Sequence, residues 1–213
     1  MKKIAIFDLD GTLANTICDL ANAVNFGLEK LGYPVHSTEK YKLFVGNGVN
    51  KLCLRALPED KKSESNKLLA LFTSYYEENY LSETTAYEGI PEVLQKLSDN
   101  GFKIAVATNK PQLFAEIIVH KLFPDINFHA ILGSCDKREK KPSPQIIYTI
   151  LSDFDEDIKA FMIGDSDVDI MTAKNAEIAS VGCAWGFRGE KELADAGADF
   201  IAHKPLDILT FLM

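Results

Sequence analysis

The stretch IAIFDLDGTLAN (residues 4–15) decides the fold, because it joins a short apolar run to two acidic residues. Residues 4–7 form a continuous apolar run, which is typical of a strand covered on both faces. Asp8 and Asp10 follow two positions apart, so both carboxylates start out on the same side of an extended chain. Gly11 then permits a sharp turn. Ligands of open parallel sheets bind beyond the carboxyl ends of the strands, which is where these acids lie.

The two carboxylates need a physical explanation. At a separation of about 4 Å they repel each other by about 4 kcal/mol at an effective dielectric constant of about 20, and a bound cation would relieve that repulsion. The alternative is that Asp8 and Asp10 are ordinary turn residues, since Asp often follows a strand.

Further apolar runs of strand length occur later in the chain, separated by segments of helix length. They cover residues 103–107, 128–132, 159–163, 178–182 and 199–202. This alternation predicts an α/β fold with a doubly wound, Rossmann-like parallel sheet. One of the intervening helices is predicted to begin with a Ser143 cap and to have Pro144 at its first position.

Residues 15–81 break this alternation. Leu20, Val24, Leu28 and Leu31 mark one amphipathic helix. Apolar and aromatic residues at helical spacing mark a second, longer one: Leu68, Leu69, Phe72, Tyr75, Tyr76 and Tyr80. No strand is predicted between them. We therefore predict a small all-helical domain, residues 15–81, inserted after the first strand into a core formed by residues 1–14 and 82–213.

Composition narrows the classes of partner. The net charge of −8 over 213 residues disfavours nucleic acid or an anionic membrane as the partner, but allows a local basic pocket for a small anion. The four cysteines form no CxxC pair, which argues against a zinc site or a disulfide framework. No run reaches the roughly 18 to 20 apolar residues of a membrane helix. We expect a cytoplasmic protein with no nucleic-acid or membrane partner.

Polar residues follow two more of the predicted strands. Thr108 and Asn109 come after residues 103–107, where a hydroxyl and an amide beside a helix start can hold phosphate oxygens; helix capping is the alternative. Asp165, Asp167 and Asp169 follow residues 159–163, and Asp165 lies in the turn, where a carboxylate can ligate Mg²⁺, which prefers oxygen ligands. Acidic residues at a helix start also suit the helix dipole, which is the alternative there.

A lysine-rich loop, REKKPSP, precedes the helix predicted at Ser143. A lysine in this loop can neutralise a phosphate, although most such loops are simply solvated. Charge alone does not choose among Lys137, Lys140 and Lys141.

The set FDLDGT, ATN, KKPSP and GDSDVD, in that order at the ends of successive strands, resembles the haloacid dehalogenase superfamily of phosphohydrolases. Within it, the chain resembles the branch of phosphoglycolate phosphatases and β-phosphoglucomutases, which carries a helical cap after the first motif. The resemblance extends over essentially the whole chain. It implies an Mg²⁺-dependent phosphatase of a small phosphorylated metabolite, with phosphoglycolate as the first substrate to test.

The resemblance also implies roles for individual residues. Asp8 would be the nucleophile that forms an aspartyl-phosphate, and Asp10 the general acid and then the general base. Thr108 and Lys141, the lysine directly before proline, would grip the phosphoryl group. Mg²⁺ would be bound by Asp8, the backbone carbonyl of Asp10 and Asp165, with Asp169 supporting the metal or Lys141.

The resemblance leaves several points open. Gly46, Asn47 and Gly48 resemble the cap's specificity loop and are predicted to contact substrate, with a plain helix-connecting turn as the alternative. Asn15 departs from the family pattern, in which Asp is frequent at the entry to the cap.

The competing functions are a sugar phosphomutase, a pyrophosphatase or nucleotidase, and a non-catalytic phosphometabolite sensor. Either a monomer or a homodimer fits the sequence.

Overall fold

The computed structural model describes residues 2–154 and 158–213. Their strands are β1 (Lys2–Phe7), β2 (Ala14–Asn15), β3 (Thr85–Ala86), β4 (Phe102–Pro111), β5 (Ala130–Ser134), β6 (Ile158–Gly164), β7 (Ala179–Cys183) and β8 (Phe200–Ala202). Their α-helices are α1 (Ile17–Lys30), α2 (Thr38–Tyr41), α3 (Val49–Ala56), α4 (Ser65–Asn79), α5 (Ile90–Asp99), α6 (Gln112–Leu122), α7 (Gln145–Leu151), α8 (Asp167–Asn175), α9 (Gly189–Asp195) and α10 (Asp207–Leu212), and a 3₁₀ helix covers Glu59–Glu64.

Six of these strands form a parallel sheet in the order β5-β4-β1-β6-β7-β8. The first strand of the chain therefore lies inside the sheet, between β4 and β6. Ala5 and Phe7 pack against the helices of one face, whereas Ile4 and Ile6 pack against α7 and α8 on the other. Both faces are covered, which explains the continuous apolar run and confirms the predicted fold class.

The strand and helix boundaries differ from the predictions by a few residues. β4 continues to Pro111, so Thr108 and Asn109 lie within the strand instead of after it. The register of β4 against β5 shifts between Ala107 and Pro111, and this irregular extension has no period that the sequence could reveal. Helix α7 begins at Gln145, after Pro144, and Ser143 Oγ accepts a hydrogen bond from the Gln145 amide at 3.4 Å.

The segment between β2 and β3 is helical, as its apolar periodicity predicts. One face each of α1, α3 and α4 contributes to a hydrophobic cluster that includes Leu20, Leu52 and Phe72. This cluster is separate from the two that cover the sheet. The residues that marked the two amphipathic helices thus form the interior of the helical region.

A short antiparallel ribbon joins the helical region to the sheet. Ala14 pairs with Ala86 and Asn15 with Thr85, a two-residue ladder too short for the sequence to predict. Asn15 Oδ1 accepts a hydrogen bond from the Ile17 amide at 3.5 Å. Among the described residues, no helix has both the length and the apolar content needed to cross a membrane.

Candidate active site

The predicted site residues converge at one edge of the sheet. Asp8 follows β1, Thr108 lies near the end of β4, and Asp165 follows β6. These three strands are neighbours, so their carboxyl ends lie side by side. Lys141 reaches the same edge from the loop between β5 and α7.

Three buried carboxylates form the centre of this edge. Asp8, Asp165 and Asp169 offer oxygen atoms that all lie within 4.8 Å of one another. Lys141 Nζ lies 3.1 Å from Asp8 Oδ1 and 2.6 Å from Asp169 Oδ1. With every group ionised, three carboxylates and one ammonium leave two negative charges. A divalent cation such as Mg²⁺ matches both that charge and the oxygen ligands.

Burial and the excess negative charge both shift the pKa values of the groups in this cluster. The pKa of Asp8 is raised from 3.8 to about 7, chiefly by burial, and the charge of Asp169 raises it as well, while Lys141 opposes both. Burial, with Asp169 and Asp8, also raises the pKa of Asp165 well above its usual value. For Lys141 burial lowers the pKa, but the carboxylates of Asp169 and Asp8 outweigh it and the net shift is upward. The site therefore holds a firmly charged lysine among carboxyls that lack a full counter-charge.

Backbone from two loops closes around Asp165. Its carboxylate accepts a hydrogen bond from the Phe187 amide at 2.7 Å. A Cβ on Gly11 would lie 2.3 Å from Asp165 Oδ2, and one on Gly186 would lie 2.2 Å from Asp165 Cβ. Since Gly11 also has a φ of 85°, glycine is required there both for space and for backbone conformation.

Asp169 is held by the start of helix α8. Its carboxylate accepts hydrogen bonds from the Ser166 amide at 3.1 Å and the Ser166 hydroxyl at 2.7 Å. The bond from the Ser166 amide, together with one from the Asp169 backbone amide to the Ser166 side chain, forms a capping box. Asp169 therefore caps helix α8 and also contacts Lys141.

Asp10 points to a different partner, which the sequence analysis missed. Its carboxylate accepts hydrogen bonds from Lys110 Nζ, 2.9 Å from Oδ1, and from the Thr16 hydroxyl at 2.8 Å. Lys110 is 5% exposed. Burial lowers its pKa, but Asp10 more than offsets this and the net shift is upward. The position of Lys110 in ATNKP, directly after Thr108 and Asn109, was the available signal.

Asn109 braces the loops around the site. Its Oδ1 accepts the Lys141 amide at 2.9 Å, and its Nδ2 donates to the Lys141 and Gly46 carbonyls at 3.1 and 3.0 Å. The side chain therefore fixes the lysine loop and the glycine loop at once. Asn47 Oδ1 accepts a hydrogen bond from Arg55 Nη2 at 2.7 Å.

A cavity of about 400 Å³ opens onto these residues. Asp8, Asp10, Thr108, Asn109 and Asp165 line its polar end, together with Gly46 and Gly48 of the glycine loop; Asn47 is not among the described residues that line it. Side chains from the helical region line the rest, with Leu20, Leu52, Leu69, Phe72 and Tyr76 among them. The cavity thus lies between the sheet edge and the helices, and its volume is in the range of small-molecule sites.

Comparison with known families agrees with this geometry. The family model described as haloacid dehalogenase-like hydrolase matches residues 5–183. The chain belongs to the haloacid dehalogenase-like hydrolases. This confirms the family resemblance noted from the motifs and the prediction that the chain is a hydrolase.

Similar proteins within this hydrolase family carry related names. The phosphoglycolate phosphatase of Vibrio parahaemolyticus is 33% identical over 217 residues, which cover 97% of this chain and 94% of that protein. The crystal structure of a candidate phosphoglycolate phosphatase from Lactobacillus delbrueckii subsp. bulgaricus is 30% identical, with a TM-score of 0.93, and the match covers 100% of this chain and 99% of that one. A second such structure, from Haemophilus somnus, is also 30% identical, with a TM-score of 0.89 and coverage of 100% and 98%.

Proposed function

We propose that this hydrolase is an Mg²⁺-dependent phosphatase that acts on a small phosphorylated metabolite of the phosphoglycolate type through an aspartyl-phosphate. The arrangement of Asp8 is the observation that carries the proposal. Its carboxylate lies 3.1 Å from Lys141 Nζ, within reach of two further buried carboxylates, and lines a cavity of about 400 Å³. The names of the similar proteins support the choice of first substrate.

In the first step, an oxygen of Asp8 attacks phosphorus and the bond from phosphorus to the ester oxygen breaks. Asp10 gives a proton to that oxygen, so the product leaves as a neutral alcohol group. In the second step, Asp10 takes a proton from water, whose oxygen attacks the aspartyl-phosphate, and phosphate and the Asp8 carboxylate are released. Lys110 and Thr16, the two donors to Asp10, orient its carboxylate for this exchange.

Charge compensation makes the attack feasible, since a carboxylate and a phosphate repel each other. Lys141 and Thr108 are proposed to hold the phosphoryl oxygens beside Asp8. Asp8, Asp165 and Asp169, with the backbone carbonyl of Asp10, are proposed to hold Mg²⁺. When bound, the ion would supply the positive charge that the cluster lacks.

The predicted division of the chain fits the same proposal. Residues 15–81 would form a cap domain on a core of residues 1–14 and 82–213, and cap closure would exclude water from the cavity. The separate hydrophobic cluster of the helices and the thin ribbon at Asn15 support this division.

The test is a panel of phosphate esters assayed with and without Mg²⁺, with Asp8→Asn beside the parent. We expect phosphate release that requires Mg²⁺ and falls by at least about 10,000-fold in Asp8→Asn, the scale seen when a nucleophile is removed. The matched control is Asp125→Asn, because Asp125 is exposed. Equal phosphate release by Asp8→Asn and the parent would contradict the nucleophile assignment. Conversion of a hexose 1-phosphate to its 6-phosphate without phosphate release would indicate a mutase instead.

A further inference from the structure

Two side chains from the sheet and its loops bind successive carbonyls of the glycine loop, residues 44–48, which lies between α2 and α3. Arg188 follows β7 and donates from Nη2 to the Val45 carbonyl at 2.8 Å. Asn109 lies in β4 and donates from Nδ2 to the Gly46 carbonyl at 3.0 Å. Asn109 is buried and Arg188 partly buried. The helical region is therefore fastened to the sheet at two points of this loop.

The side-chain amide of Asn109 has both of its N–H groups in use. An amide nitrogen carries two hydrogens. Nδ2 lies 3.0 Å from the Gly46 carbonyl and 3.1 Å from the Lys141 carbonyl, so each hydrogen has an acceptor. Oδ1 accepts the Lys141 amide at 2.9 Å, and an ionised phosphoryl oxygen has no hydrogen to give it. The side chain is therefore suited to joining two loops and not to holding a phosphate.

The second loop that Asn109 binds is the lysine loop, residues 138–144. Asn109 holds the backbone of Lys141 at both its amide and its carbonyl, and the ammonium of that lysine lies among the buried carboxylates. The two loops also approach each other directly, since a Cβ on Gly48 would lie 2.9 Å from Lys140 Nζ. The position of the glycine loop therefore bears on the lysine that faces the nucleophile.

We propose that Asn109 is a positioning residue that makes the placement of Lys141 depend on closure of the glycine loop over the sheet. This rests on the proposed phosphatase function and its cap. When the glycine loop moves away, Nδ2 loses the Gly46 carbonyl. A buried donor without an acceptor is costly, so the amide turns and its two bonds to the lysine loop weaken. Arg188 holds the glycine loop closed and acts on Lys141 through Asn109.

Amide hydrogen exchange of the two loops, without substrate, measures this coupling. Arg188→Met removes a charged hydrogen bond to the glycine loop, so we expect both loops to exchange about tenfold faster. In Asn109→Ala the lysine loop should already exchange about tenfold faster than in the parent, and addition of Arg188→Met should change that rate by less than about twofold. The matched control is Asn66→Ala, an exposed asparagine, which should leave both loops unchanged.

Unchanged exchange of the lysine loop in Arg188→Met would overturn the proposal. The full effect of Arg188→Met on top of Asn109→Ala would overturn it too, because the loops would then be coupled by another route. Asn109→Asp keeps an acceptor for the Lys141 amide and removes both donors, so it should uncouple the loops in the same way. This second variant guards against misfolding of Asn109→Ala.

Steady-state kinetics with phosphoglycolate should separate the two residues in the reaction. Saturating substrate favours the closed state, so Arg188→Met should raise KM about tenfold and keep kcat within about threefold of the parent. Asn109→Ala misplaces Lys141 even in the closed state, so kcat should fall by about 10- to 100-fold. A rise in KM alone in both variants would make Asn109 a mere latch and overturn its positioning role.

Hydrogen exchange needs no turnover, so this proposal and the proposed function can fail separately. A protein that hydrolyses no ester but shows the coupled exchange of the two loops would contradict the phosphatase and support the coupling. An active phosphatase whose lysine loop ignores Arg188→Met would reject the coupling alone.

Discussion

Lys141 and Lys110 are two buried lysines at the same edge of the sheet, and they differ in their anions. Lys141 contacts Asp8 and Asp169, and Asp165 lies beside these two. Among the described residues, the Lys110 ammonium pairs with one carboxylate, that of Asp10, whose side chain is 13% exposed, and it lies over the ring of Tyr76. The Lys141 cluster has too much negative charge for its one lysine, which suits a divalent cation. The Lys110 pair, with one carboxylate and one ammonium, is balanced in charge.

Removal of each lysine measures this difference most directly. We expect Lys141→Met to lower the free energy of unfolding by about 3–5 kcal/mol at pH 8 without Mg²⁺, because it leaves buried carboxylates with no cation. Lys110→Met should cost less, since Asp10 keeps the Thr16 hydroxyl and some contact with solvent. Urea unfolding of both variants gives the two values. Equal losses would mean that the two lysines do not differ as described.

The pH dependence of stability tests the excess charge of the Lys141 cluster. The pKa of Asp8 is about 7 in the folded protein, above its ordinary 3.8, so the folded state binds the extra proton between these values. Stability of the parent in chelator should therefore fall as pH rises from about 4 to about 7, by at most about 4 kcal/mol from this group. The fall should be shallower in Asp8→Asn. Parallel curves of stability against pH for the parent and Asp8→Asn over that range would contradict the raised pKa of Asp8.

Added Mg²⁺ should stabilise the Lys141 cluster specifically. An ion at 100 times its dissociation constant raises the free energy of unfolding by about 2.7 kcal/mol, which a rise in melting temperature reports. We expect Asp165→Asn to lose most of this rise and Lys110→Met to keep it. Asp167→Asn is the matched control, because Asp167 belongs to the same turn and is exposed. A normal rise in Asp165→Asn would place the ion elsewhere.

The smallest expected change in stability is that of Tyr76→Phe, beside Lys110. Tyr76→Phe removes a buried hydroxyl that has no partner among the described residues, so we expect the free energy of unfolding to rise by up to about 1 kcal/mol. Tyr75→Phe, in the same helix at a half-buried position, should leave the free energy of unfolding unchanged. Destabilisation by Tyr76→Phe would show that its hydroxyl already has a partner in the free protein.

Much of the site could be predicted because strand ends are readable in a parallel sheet. Each short apolar run identified a strand, and the polar residues after it had to meet at one edge. Asp8, Thr108, Asp165 and Asp169 were found in this way, whereas Lys141 was chosen from its loop by the resemblance to the family motif. The structure brings all five together. The helical region was equally readable, since its apolar residues repeat with the period of a helix.

Other features could not be predicted from local pattern. A lysine in a polar stretch is usually solvated, and Lys110 is buried because β4 extends to Pro111 and α4 packs over its end. Tyr76 fits the packing pattern of α4, and nothing in that pattern shows that it lines the cavity beside Lys110. The ribbon of Ala14–Asn15 with Thr85–Ala86 is too short to have a period.

The sequence by itself determined the family, the sheet and the acidic residues at the strand ends, because these depend on local periodicity and on the order of motifs. The tertiary structure decided which anion each lysine contacts and where the cavity lies. Those features depend on distances between residues far apart in the chain, such as Asp10 and Lys110 or Tyr76 and Phe114. Only packing of the helices against the end of the sheet sets such distances.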